Sequence, residues 1–160
     1  MGDKVTHTFP PIYDQYSKVL ILGSFPSVKS REGEFYYHHP QNRFWRVLST
    51  IYKEEVPATI PEKKQLLLQN KIAVWDVIQS CEITGSSDSS IRNVLPNNLS
   101  TILKEAQISS IIANGETAYK LYMKYIYPII GMEIVKLPST SPANAAYTLE
   151  KLIDCWRKYL

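Results

Sequence analysis

Hydrophobic residues fall into two alternating patterns along this chain. Four short, dense apolar runs, at residues 18–24 (KVLILGS), 72–78 (IAVWDVI), 108–113 (ISSIIA) and 133–137 (EIVKL), predict buried strands. Between them the spacing turns helical. Phe44, Trp45, Leu48 and Ile51 share one face of a helix expected over 42–52. Pro61 suits the first position of a helix running to about residue 70. Asn97 or Asn98 would cap a helix to about Ala106, residues 116–127 form another that stops at Pro128, and the last spans 144–159. Residues 1–15, with Pro10 and Pro11 and few periodic positions, read as an irregular arm that lends Phe9 and Ile12 to the core. Polar residues 80–90 read as loop. Strands alternating with helices predict an α/β fold. The expected architecture is a three-layer αβα sandwich around a four-stranded, mostly parallel sheet, one domain across residues 1–160.

In such a sheet, ligands bind beyond the carboxyl ends of the strands. Three of the four ends carry small, turn-forming or hydroxyl residues: Gly23-Ser24-Phe25-Pro26, Asn114-Gly115, and Pro138-Ser139-Thr140-Ser141-Pro142. The first opens the longest connection, LGSFPSVKSREGEFYYHHPQNRFW at 22–45, aromatic and histidine-bearing, which ends at a helix start. A long ordered loop of this kind in a compact domain is usually functional. These ends are expected to converge on one concave site.

Composition narrows the chemistry. Cys81 and Cys155 stand far apart with no C-x-x-C or C-x-x-H context, which disfavours a thiolate metal site and suggests reduced thiols. His38 and His39 are adjacent and lack a third ligand, so no metal is expected. No G-x-G-x-x-G follows the first strand and no G-x-x-x-x-G-K occurs, so no cofactor is expected. Ser24 and Ser27 lack a nucleophile elbow. With no membrane-length apolar run and no signal-peptide core, a cytoplasmic monomer without membrane contact is expected, nucleoid-associated if bacterial. The formal charge of +3 permits a nucleic-acid partner. A neutral polar rim with aromatics and an amide suits a flat heterocycle, with water as the nucleophile in any reaction.

The run from Gly23 to Trp45 resembles the first motif of the uracil-DNA glycosylase superfamily, most specifically in His39-Pro40-Gln41-Asn42-Arg43-Phe44-Trp45. Asn114-Gly115 resembles the superfamily's strand-end asparagine motif, and residues 137–144 (LPSTSPAN) its intercalation loop. The motifs occur in the family's order, and the similarity covers nearly all of the chain after about Lys18. Mismatch-specific relatives carry an asparagine two residues after the motif-one glycine; Phe25 stands there instead. Leu137 replaces the histidine that opens the third motif in uracil-excising relatives. G-S-F-P-S, Y-Y-x-H-P-Q-N and L-P-S-T-S-P are most similar to the hypoxanthine (deoxyinosine) branch.

The resemblance implies a monofunctional glycosylase of base excision repair. It would act on a deaminated base flipped from double-stranded DNA, most simply hypoxanthine. Asn42 maps to the catalytic asparagine, expected to hold a water through its carbonyl oxygen. Gly23, Ser24, Phe25, Pro26, Ser27, Tyr37, His39 and Asn114 would contact the substrate, with Tyr37 stacking and Asn114 reading the base edge. Ser139, Thr140, Ser141 and Pro142 would press into DNA, with Lys29, Arg31 and Lys136 adding phosphate attraction.

Plainer readings stand beside these. Asn42 suits a helix cap, Asn114-Gly115 a generic turn, and Asp88 the cap of a short helix. His38 and His39 suit loop hydrogen bonding, and Phe44 and Trp45 the core. Two further functions fit the same scaffold: a G·U/G·T mismatch-specific uracil glycosylase, or a non-catalytic nucleic-acid-binding protein.

Overall fold

The computed structural model describes residues 2–160; Met1, the first residue of the expected N-terminal arm, lies outside the described residues. A parallel sheet of four strands sits at its centre. In chain order the elements are β1 (Asp3–Thr6), β2 (Val19–Gly23), α1 (Val28–Gly33), α2 (Phe44–Ile51), α3 (Ile60–Gln69), β3 (Ile72–Asp76), β4 (Ile78–Ile83) and β5 (Arg92–Pro96). There follow α4 (Ser100–Glu105), β6 (Ser110–Asn114), α5 (Glu116–Tyr125), α6 (Tyr127–Ile130), β7 (Ile134–Leu137) and α7 (Leu149–Arg157). The parallel sheet has the order β3-β2-β6-β7.

Strand periodicity divides the core between the two faces of that sheet. On β2, Leu20 and Leu22 face one apolar cluster, which takes in Leu99 just before α4, Ile102 from α4 and Tyr122 from α5. Ile21, between them, faces the other, which joins Phe44 and Leu48 of α2, Leu67 of α3 and Trp156 of α7. Phe44 and Trp156 are fully buried and meet edge-to-face at 6.2 Å between ring centroids. Truncating such an aromatic to alanine costs about 3–5 kcal/mol. The αβα sandwich expected from the alternation of periods is therefore the observed architecture.

The N-terminal arm and the segment at 80–90 differ from expectation. Asp3–Thr6 pairs antiparallel with β4, which pairs with β5, giving a second sheet of order β1-β4-β5. Its outer strands are edges whose side chains face mostly outward, so they carry no apolar period and are held by backbone hydrogen bonds. β4 does bury Ile78, Cys81 and Ile83, but Gln79, Ser80 and Glu82 among them break the apolar run.

Helix boundaries shift for local reasons. The long 22–45 connection contains α1, capped by the Ser27 hydroxyl accepting from Ser30 N, 3.2 Å. α2 begins at Phe44, two residues later than expected. α7 begins at Leu149, because Thr148 caps it and 144–147 are turned back on themselves. Asn98 accepts from Ser100 N at the start of α4, whereas buried Asn97 donates to the carbonyls of Asp76 and Ile78.

Candidate active site

The strand register brings Gly23 beside Asp76 and Asn114 beside Leu137 at one edge of the parallel sheet. Beyond this edge lies a cavity of about 420 Å³, within the range for small-molecule sites. Of the residues singled out from sequence, Gly23, Ser24, Phe25, Pro26, Ser27, Tyr37, Asn42, Asn114, Ser139, Thr140 and Ser141 line it. His39 and Pro142 do not: His39 Nδ1 accepts from Gln41 N within its own turn, and Pro142 is exposed on the loop surface.

Asn42 ends the long connection, and its side chain is held from two directions. Its Oδ1 accepts from Phe44 N at 2.9 Å, so it satisfies the first N–H of α2 from one position before the cap residue Arg43. The same oxygen accepts from the Thr140 hydroxyl at 2.9 Å. Thr140 is fully buried, and its Oγ1 accepts from Asn114 Nδ2 at 3.1 Å, while its backbone N donates to Asn114 Oδ1 at 3.0 Å. Each backbone donor fixes the orientation of the amide it meets, so the direction of the relay is determined: Asn114 N–H to Thr140 O–H to Asn42 C=O. Two expectations change as a result. Both lone pairs of Asn42 Oδ1 are occupied, leaving Nδ2 as the end with free hydrogen-bonding capacity. Thr140 works as a buried link inside the protein, with no surface to offer DNA.

Tyr37 lines the cavity with a left-handed backbone, φ 51°, a conformation uncommon outside glycine. Its ring stacks on Phe44 at 4.1 Å, and its carbonyl accepts from the Trp45 indole, which together hold it there. One face of the ring is therefore committed to the core. Its hydroxyl is buried with no partner in good hydrogen-bonding geometry, although a weak interaction with the Asn114 amide opposes the effect of burial. Burial first, and the nearby Asp76 carboxylate second, hold that hydroxyl well above the usual phenol range.

Asp76 is the acidic residue that sequence periodicity passed over. It closes β3, lines the cavity and is 3% exposed, with its Oδ2 2.8 Å from His7 Nε2. His7 follows β1 and is itself enclosed by Phe9, Phe25 and Tyr36. A Cβ on Gly23 would come within 2.4 Å of Asp76 Oδ1 and 3.1 Å of Tyr37 Oη, so only glycine fits at the end of β2. The available signal was a lone acid inside the apolar run IAVWDVI; His7, 69 positions away in an arm without periodicity, gave none.

At the mouth stands Asp88, the first residue of a single helical turn, accepting from Ser24 Oγ at 3.3 Å. Partial withdrawal from water raises its pKa, opposed by hydrogen bonds from Thr117 and Ser24. An adjoining groove of about 530 Å³ runs between Ser139, Asn144 and Tyr147 and the start of α5. Lys136 in that groove is paired with Glu116 at 2.6 Å. Among the described residues, no lysine or arginine lines the 420 Å³ cavity, and no group of three His, Cys, Asp or Glu side chains is placed to hold a metal. No described helix is long and apolar enough to cross a membrane.

Comparison with known proteins bears on the family and the fold. The family model described as the uracil DNA glycosylase superfamily matches residues 10–160. A curated protein named hypoxanthine DNA glycosylase from Methanosarcina barkeri is 34% identical over 139 residues, covering 85% of this chain and 86% of its own length. A protein of the same name from Methanosarcina acetivorans is 35% identical over 145 residues, covering 88% and 89%. The solution NMR structure of a candidate uracil DNA glycosylase from Methanosarcina acetivorans superposes with a TM-score of 0.80 at 31% identity, covering 94% of this chain and 93% of that one.

Proposed function

The chain belongs to the uracil DNA glycosylase superfamily, and from that premise we propose that it hydrolyses the N-glycosidic bond of deoxyinosine in duplex DNA. The observation that carries the proposal is the fixed amide of Asn42 on the wall of a base-sized cavity. Two relatives at 34% and 35% identity are named for hypoxanthine, which supports this base over uracil.

The nucleotide leaves the stack and enters the cavity, at an unpairing cost of roughly a few kcal/mol that is lowest for a mismatched base. As the bond to the sugar breaks, positive charge grows on the sugar and negative charge on the base. A cationic centre of this kind needs a well-placed water more than a strong base. Asn42 Nδ2, the free end of the amide, holds that water by donating to its oxygen. As the water bonds to the anomeric carbon it sheds a proton, and the departing base anion takes one up, leaving an abasic sugar and neutral hypoxanthine. The buried carboxylate of Asp76 supplies a fixed negative field favouring the cationic sugar. An acceptor-only carboxylate also suits the ring N–H of a deaminated purine, where adenine presents a bare nitrogen. The lack of a lysine among the cavity-lining residues supports hydrolysis by water over an amine-linked intermediate. The loop at 139–144 enters the duplex beside the vacated position.

The test is incubation with duplexes containing inosine, xanthine, uracil or a thymine mismatch, followed by alkaline cleavage of abasic sites. Strand breaks at inosine are expected. Cleavage at G·U with none at inosine would replace this reading with the mismatch-specific one. Salt-dependent binding without any abasic product would leave a DNA-binding protein that performs no reaction.

A further inference from the structure

Arg43 immediately follows the cavity amide, yet its side chain turns away from the cavity. Its guanidinium gathers the backbone of the loop that follows β7. Nε donates to Thr140 O at 3.4 Å, Nη2 to Ser141 O at 2.8 Å and to Asn144 O at 3.0 Å, and Nη1 to Tyr147 O. The main-chain N of Arg43 also donates to Thr140 O, 3.1 Å. Four carbonyls spread over eight residues thus converge on one half-buried side chain. Among the described residues no carboxylate pairs with it, so its charge is met by carbonyl dipoles alone. Five N–H donors in a planar fork are required for this arrangement, which a lysine cannot reproduce.

We propose that Arg43 is a positioning residue that holds the 139–147 loop in the pose needed to open a base pair, locking loop and amide into one unit. The proposal rests on the glycosylase reading above. Two links run in parallel from adjacent residues: Asn42 Oδ1 to the Thr140 hydroxyl, and the Arg43 guanidinium to the carbonyls of Thr140, Ser141 and Asn144. The loop adds a staple of its own, Asn144 Nδ2 donating to Ser139 O at 3.0 Å. A wedge that enters the base stack works only if it is stiff, because a floppy loop yields before the base pair does. The unneutralised guanidinium also leaves this loop net positive, which favours the phosphates beside a flipped nucleotide.

The consequence is a split between substrates. A single-stranded inosine needs no wedge, whereas an inosine paired with cytosine does. Arg43→Lys keeps the charge and removes the fork. It is expected to lower single-turnover cleavage of duplex inosine by about 10–100-fold, the scale of a modest misplacement. The loss on single-stranded inosine should be at least tenfold smaller. Asn144→Ala, which leaves Asn42 and Arg43 intact, is expected to give the same split at smaller size, and serves if Arg43→Lys folds poorly. Hydrogen exchange gives a reading independent of activity: amides of 140–147 should exchange faster in Arg43→Lys, while those of the parallel sheet do not change. Equal losses on duplex and single strand, or unchanged exchange in the loop, would overturn the proposal. Absence of cleavage by the wild-type protein would overturn the glycosylase reading instead, with the exchange result still deciding whether Arg43 holds the loop.

Discussion

The two walls of the cavity are built on opposite principles. On the strand-end wall, Gly23, Asp76 and Tyr37 are set by the core, and a buried acid is held by a buried histidine brought in from the far end of the sequence. On the loop wall, neutral amides and a hydroxyl pass hydrogen bonds along a line, and a single arginine holds a backbone loop by its carbonyls. The first wall carries charge where water is excluded, so its integrity is tied to folding. The second carries directed dipoles that end on the cavity amide, so its integrity is tied to turnover. A mutation on either wall should therefore reveal itself in a different measurement.

The sharpest way to break this contrast is through His7. Its side chain is 2% exposed and that of Asp76 5%, so removing one member leaves the other buried and unpartnered. His7→Ala should cost about 3–5 kcal/mol of stability, the range for breaking a buried pair from one side. Thermal or urea unfolding checks it, and His7→Gln, which retains an N–H donor, should recover part of the loss. A His7→Ala protein as stable as wild type would show that the strand-end wall is not coupled to the fold.

Asn42→Ala is the counterpart on the loop wall. Its kcat on inosine duplexes should fall about 10²–10³-fold, as when one preorganised polar group is removed from an active site. Its stability should fall by about 1–3 kcal/mol, because Phe44 N and the buried Thr140 hydroxyl both lose their acceptor. Unfolding and single-turnover cleavage measured on the same preparation separate the two. A variant that cleaves at the wild-type rate removes Asn42 from the mechanism.

These two walls also differ in how much of them the sequence disclosed. The loop wall is written in contiguous motifs, PQNRFW and LPSTSP, whose turn residues and polar amides stand out locally. The parallel sheet was equally plain, since strands buried on both faces read as unbroken apolar runs. The strand-end wall was not legible, because its defining contact joins residues 69 positions apart. One of them lies beside an edge strand whose side chains, Val5 apart, face outward, and no local period marks a segment stabilised mainly by backbone pairing. The role of Thr140 was hidden for a related reason: a threonine between prolines looks like an exposed turn until the fold drops it between two asparagines.

Thr140→Val tests the relay without changing its shape. Valine fills the same buried space but neither accepts from Asn114 nor donates to Asn42. Unsatisfied polar groups in such a place cost about 1–3 kcal/mol. Part of this should appear in kcat, because Asn42 Oδ1 regains a free lone pair and the amide can rotate. Thr140→Ser, which keeps the hydroxyl, should stay near wild type. Equal kinetics for the serine and valine variants would mean that Asn42 is held by Phe44 N alone.

The smallest expected effect concerns Asp88, which belongs to neither wall and stands at the mouth between them. Its pKa is raised by partial desolvation, so the folded protein prefers the protonated form more than an unfolded chain does. The sign follows: stability attributable to this group is fullest at acid pH and is lost as pH rises through the folded-state pKa. Above that pKa the carboxylate is also charged at the place where a DNA strand would enter. Asp88→Asn should therefore leave kcat alone and tighten duplex binding a few-fold at neutral pH and low salt, where charge on an exposed group is least screened. The difference should vanish as pH falls and wild-type Asp88 takes up its proton, because both proteins are then neutral at this position. Binding titrations at two pH values and two salt concentrations measure it. An advantage for the asparagine variant that persists at acid pH would show that shape, and not charge, governs the mouth of the cavity.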